Sequence, residues 1–152
     1  MAGMTEMAMQ EFLAEPHIGV IGVVSDDGRP PLTVPLSYAY EPGGNLTFFT
    51  GTMGRRARKK RFIAQSGHIS LCVQKEEFPY KYVTVEGTVI DTAEPPAEPE
   101  MLKIVRRYLP EEAARGMVRH ELSIPDSELI LYTVRPDRWS SMDFSESAEE
   151  AA

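Results

Sequence analysis

Six of the sixteen Lys and Arg residues in this chain lie between Arg55 and Arg61, within the tract NLTFFTGTMGRRARKKRF (45–62). The chain as a whole carries a formal net charge of −7, so removing those six leaves −13 for the rest. A local reversal of that size suits the binding of an anion. The tract reads as a strand ending near Thr50, a connection GTMG with two glycines, and a helix from about Arg55. A Gly-containing turn that opens a helix presents free backbone N–H groups and the positive end of the helix dipole. Phosphate binds well there. Arg guanidinium adds bidentate hydrogen bonds, and Thr50 and Thr52 add hydroxyl donors.

At about 100° per residue, Arg56, Lys59 and Lys60 share one sector of such a helix, while Arg58 and Arg61 point elsewhere. Arg55 falls in the connection or the first turn. The candidate phosphate ligands are therefore Thr50, Thr52, Arg55, Arg56, Lys59 and Lys60. A solvated helix face competes with this reading. A nucleic-acid surface is a third reading, but a pI near 5.0 argues against it.

Little else in the chain suggests catalysis by side chains. No nucleophile stands with a base. His17, His68 and His120 are scattered, and the first two sit at strand starts as surface residues. There is no zinc-like cluster. Tyr38, Tyr40, Tyr80 and Tyr82 could each donate to a substrate carbonyl, although strand tyrosines commonly pack. Cys72, the single cysteine, cannot form an internal disulfide and reads as a buried strand residue.

The elements that must position the basic tract are mostly strands. Residues 5–14 read as a helix ended by Pro16. Strands follow at 18–25, 32–40 and 46–50, separated by the turn signals DDG (26–28) and PGGN (42–45). Pro35 marks the second of these as an edge or a bulge. The basic helix, 55–65, stops at Gly67. Further strands are expected at 68–74, 80–91 and 127–139. The Pro-rich acidic connector 92–100 precedes a helix whose Met101, Ile104, Val105 and Tyr108 face the core. Six antiparallel strands with peripheral helices make a mainly β fold, most simply one small β-barrel. A length of 152 residues fits one domain, here 1–144, with an acidic tail at 145–152 that reads as disordered. No apolar run approaches the ~18 residues of a membrane span. The N-terminus lacks a signal-peptide pattern, so a cytoplasmic location is expected.

The order of strands, the tract FFTGTMGRR with its basic helix, and the following GHISLCVQ and YKYVTVEGTV together resemble the pyridoxamine 5'-phosphate oxidase-like, FMN-binding split-barrel superfamily. The resemblance covers roughly residues 10–144. It implies a six-stranded antiparallel split β-barrel that forms a homodimer, with FMN or the deazaflavin coenzyme F420 in grooves at the interface. It places the phosphate clamp at Gly54-Arg55-Arg56 when aligned from FFT, or at Lys59 when aligned from HISL. It puts Val34, Pro35, Leu36 and Ser37 along the isoalloxazine ring. It makes Arg138 and Trp139 candidates to reach the partner's cofactor, although Trp139 also reads as an ordinary core or interface anchor. The oxidases' Arg-x-His substrate motif is missing, since Arg119 and His120 are adjacent. The expected activity is therefore that of a flavin- or deazaflavin-dependent oxidoreductase acting on another small conjugated substrate, the hydride chemistry residing in the cofactor. A flavin or haem carrier of the same fold, or an interaction module whose basic helix meets an acidic partner, are the alternatives.

Overall fold

A computed structural model of the protein describes residues 3–52 and 58–145. The chain runs α1 (Glu6–Ala14), β1 (Gly19–Val23), β2 (Leu32–Leu36), β3 (Leu46–Thr50), α2 (Arg58–Ser66), β4 (His68–Lys75), β5 (Lys81–Ala93), α3 (Glu98–Val105), α4 (Glu111–Ser123) and β6 (Ile130–Asp143). The six strands form one sheet in the order β2-β1-β4-β5-β6-β3, with every neighbouring pair antiparallel. A bridge between Ala39, just beyond β2, and Thr47 on β3 joins the two edges of that order. Its hydrogen bonds are 2.8 Å and 3.0 Å long. The sheet thus curls into a split barrel, mainly β with peripheral helices.

Alternation along the strands builds the core. Ile69, Leu71 and Val73 of β4 and Val83 and Val85 of β5 point inward, beside Ile21, Phe48, Tyr132 and Val134. Phe12 and Leu13 of α1 and Phe62 and Ile63 of α2 close over the same cluster. A second cluster packs Met101, Leu102 and Val105 of α3 against Ala114 and Val118 of α4 and Leu129. The long strands β5 and β6 bend at two register shifts, Glu86/Gly87 and Val89/Asp91. Gly87 permits the first, because a Cβ there would lie 2.5 Å from Val134 Cγ1 and 2.7 Å from the Arg135 carbonyl.

Local signals explain most of the boundaries. Thr5 caps α1 by accepting from Ala8 N at 3.1 Å. Gly67, at φ +69°, ends α2 and donates to Ile63 O at 2.8 Å. Pro35 sits on edge strand β2, exposed and opposite Val20.

Four expectations need correction. β2 stops at Leu36 instead of Tyr40, because Tyr38 turns fully into the core and donates to Leu13 O at 2.7 Å. Tyr108 lies beyond α3, where its hydroxyl ties His17 O at 2.6 Å to the backbone of Tyr38. β6 continues four residues past Trp139, its polar end pairing with the start of β5. Cys72 is exposed, because it shares the outward phase of β4 with Gln74 while Leu71 and Val73 take the inward one. Residues 146–152 of the expected tail lie outside the described residues. Among the described residues no helix is long and apolar enough to cross a membrane.

Candidate functional site

The end of β3 is built against the loop that enters β6. Thr50 pairs with Ile130. Gly51 follows, and a Cβ on it would lie 2.5 Å from Ser127 Oγ and 2.9 Å from the Ser127 carbonyl. Only glycine fits that contact. Thr52 then donates to Ser127 O from its backbone N at 2.6 Å and from its hydroxyl at 3.0 Å. The loop itself is strained: Asp126 at φ 54° and Glu128 at φ 49° are both left-handed without being glycine. Between them Ser127 is buried, and among the described residues its hydroxyl finds no hydrogen-bond partner.

Helix α2 brings its cations to this floor, and the structure sorts them. Arg58 reaches back to Asp27 at 3.0 Å, and Arg61 to Asp26 at 3.0 Å. Both guanidiniums also lie over the Phe62 ring, at 5.1 Å and 4.8 Å. Lys60 sits between Glu94 at 2.8 Å and Glu128 at 3.4 Å. Its bond to Glu94, reinforced by the charge of Glu128, raises the ammonium above its usual pKa. Burial works against the Asp27 carboxylate, but hydrogen bonds from Arg29 N and Arg58 outweigh it and hold that carboxyl below its usual value.

Lys59 differs from all of these. Its ammonium donates to the Thr50 hydroxyl and, at 3.3 Å, to Gly51 O. Among the described cations of α2 it alone lacks a carboxylate partner. Its partial burial lowers the ammonium pKa, as expected for a desolvated cation without a counter-charge. Thr50, Gly51, Thr52, Lys59, Lys60, Glu128, Ile130 and Tyr132 surround a small pocket at this point. Two of its donors suit a phosphate group, the Lys59 ammonium and the Thr50 hydroxyl, whereas the Thr52 hydroxyl is already given to Ser127 O. Arg55 and Arg56 lie outside the described residues.

The remaining candidates fall elsewhere. Val34 and Leu36 are half-buried against the main core, Pro35 is exposed, and Ser37 is half-buried just beyond β2. The Arg58–Asp27 pair links the turn before β2 to the helix that carries Lys59. Trp139 packs edge-on to Tyr40, with ring centroids 5.9 Å apart. It stands nine residues beyond Ile130 on β6, about 30 Å of strand. Trp139 and Lys59 of one chain therefore do not meet in a single small pocket.

Tyr38 is no proton donor to a substrate, being buried with its hydroxyl committed to Leu13 O. Tyr40 is buried too, its hydroxyl accepting from Gly43 N at 3.3 Å. Tyr80 and Tyr82 are exposed. His17 is largely covered, its Nε2–H donating to Phe12 O at 3.0 Å beside the Glu15 carboxylate, whereas His68 is exposed beside Thr88. Among the described residues no group of His, Cys, Asp or Glu is arranged to hold a metal.

Sequence reasoning took Asp26 and Asp27 only as turn residues and passed over Glu94, Ser127 and Glu128. Two adjacent acids before a basic helix are a usable signal for the first pair. Nothing local marks the other three.

Curled sheet and edge bridge define the split-barrel class. The family described as pyridoxamine 5'-phosphate oxidase matches residues 5–142, and the chain belongs to that family. An F420 reductase structure is 26% identical, covering 86% of this chain and 94% of that one, with a TM-score of 0.65. A FAD-binding protein from Mesorhizobium loti is 17% identical, covering 92% and 93%, with a TM-score of 0.58. A conserved protein of Mycobacterium tuberculosis is 15% identical, covering 95% and 88%, with a TM-score of 0.67. No curated protein matches the chain. The fold family holds FMN- and F420-binding oxidoreductases and flavin-binding proteins, and its members bind FMN, FAD or F420.

Proposed function

We propose that this protein is a flavin- or deazaflavin-dependent oxidoreductase that transfers a hydride to or from a small conjugated substrate. Lys59 and Thr50 hold the cofactor phosphate, Thr52 instead tying the end of β3 to Ser127 O, and Arg55 and Arg56 are candidates to complete the clamp. The observation that carries this reading is Lys59. A desolvated ammonium without a carboxylate beside it is unfavourable unless an anion joins it. Its neighbours Arg58, Lys60 and Arg61 already have the protein's own acids. The likeness to an F420 reductase supports an enzyme over a carrier.

The cofactor, when bound, supplies the hydride chemistry. The chain's residues bind and orient it. Lys59 and the Thr50 hydroxyl fix its phosphate end, and Val34 to Ser37 are the proposed ring contacts. The reading includes a homodimer with the cofactor between subunits, because one chain cannot bring Trp139 and Lys59 to the same pocket. The exposed apolar side chains of Ile18, Val20 and Tyr82 are compatible with that partner.

Fluorescence-quenching titrations of the purified protein against FMN and coenzyme F420 test the proposal, followed by Arg56→Ala and Lys59→Ala, singly and together. Binding of at least one cofactor, weakened about tenfold or more by Lys59→Ala, is the expected result. Binding without turnover of any conjugated acceptor under reducing conditions would point to the carrier instead. No binding of either cofactor would remove the flavoprotein reading.

A further inference from the structure

The surroundings of the phosphate pocket are acidic on one side. Glu128 forms part of the pocket wall itself. Glu94 and Glu128 flank Lys60, so that one cation stands between two anions with a net charge of −1. An adjoining groove is lined by Glu94, Glu121, Asp126 and Glu128 together with Pro95, Leu122, Ile124 and Leu129. The cations Arg58 and Arg61 do not relieve this charge, because Asp27 and Asp26 neutralise them at the β1–β2 turn. Over residues 58–61 the basic tract therefore offers a single available ammonium beside a negative rim.

We propose that this rim selects the cofactor's tail: the site accepts a single phosphate group and disfavours a phosphate that continues into a chain of carboxylates, with Glu94, Asp126 and Glu128 imposing the preference. The inference rests on the reading that the Lys59 pocket holds cofactor phosphate. Its physical basis is range. Screened repulsion acts over about 8–10 Å at moderate ionic strength. A tail leaving so small a pocket begins within that distance of the rim, and each of its carboxylates meets like charge. A phosphate that ends in the pocket meets Lys59 first. Two hydrogen bonds from Thr52 to Ser127 O and the close approach of Gly51 tie the backbone between Asp126 and Glu128 to the end of β3.

The test compares three probes by fluorescence titration at low and at physiological salt: FMN, F420 with its oligoglutamate tail, and the same deazaflavin phosphate without glutamates. The proteins are wild type, Glu94→Gln/Glu128→Gln and Asp126→Asn. Asparagine tolerates the left-handed backbone at 126, so that variant removes charge while keeping the loop. Wild type is expected to bind the tail-less deazaflavin at least as tightly as the tailed one. Each variant should gain more affinity for the tailed form than for the tail-less ones, the excess being roughly three- to tenfold for the double variant, where Lys60 is also freed for every phosphate, and the excess should shrink as salt rises. Tighter wild-type binding of the tailed form, or a change of equal size for tailed and tail-less probes, would overturn the selectivity. Failure of wild type to bind all three would instead overturn the phosphate pocket, and the inference with it.

Discussion

Lys59 and Gly51 show how single residues set the properties of the candidate site. Lys59 is held by two neutral oxygens and no carboxylate, a costly arrangement for a half-buried cation. Its folded-state pKa lies below 10.5, so between that lowered value and 10.5 the unfolded chain binds more protons than the native one. Stability contributed by this group therefore rises with pH across that window. Lys59→Met should flatten the rise in alkaline melting curves while weakening the phosphate-bearing cofactor about tenfold. A large loss of stability at neutral pH without any loss of binding would mark Lys59 as a structural residue. Gly51→Ala belongs to packing. Its Cβ would overlap the Ser127 hydroxyl and carbonyl, so urea unfolding should show a loss of about 1–3 kcal/mol. An unchanged midpoint would mean that the α4–β6 loop yields easily.

Helix α2 is the element on which the site depends, and two ion pairs fasten it to the turn between β1 and β2. Each is partly exposed and adds little to stability by itself. Their position matters more, because they join that turn to the helix that carries Lys59. Asp26→Asn/Asp27→Asn should therefore weaken the phosphate-bearing cofactor several-fold while changing stability little. Titration and urea unfolding of the same preparation separate the two. The pH dependence has a definite sign. Asp27 has a lowered folded pKa, so its contribution is present above 3.8 and is lost as pH falls through the lowered value. Asp27→Asn should remove that part of the acid limb. The helix boundaries themselves were legible: Gly67 marks the end of α2, and alternating apolar residues mark β4 and β5. The end of β2 was not, since Tyr38 leaves the strand to anchor α1, 25 residues away in the chain.

At the scale of the whole molecule, the two edges of the sheet meet, among the described residues, through the Ala39–Thr47 bridge. A split of this kind leaves strand edges and apolar side chains such as Val20 and Ile18 facing outward. Light scattering is expected to give twice the chain mass of 17.0 kDa, and Val20→Glu should shift the protein toward monomer while lowering cofactor affinity. Cofactor binding by a monomer with wild-type affinity would show that one chain forms the complete site.

Most strand and turn positions, the mainly β class and the family were present in the order of residues, because hydrophobic alternation, Gly and Pro act over a few neighbours, whereas the end of β2, the length of β6 and helix α4 were not. The cluster of cations was equally plain. Which of them is available for a ligand was decided only by the tertiary structure. The acids that neutralise Arg58 and Arg61 lie 31 and 35 residues away, and those that hold Lys60 lie 34 and 68 away. A charge is neutralised by whatever the fold brings within a few ångströms, and no local pattern in the chain records that distance.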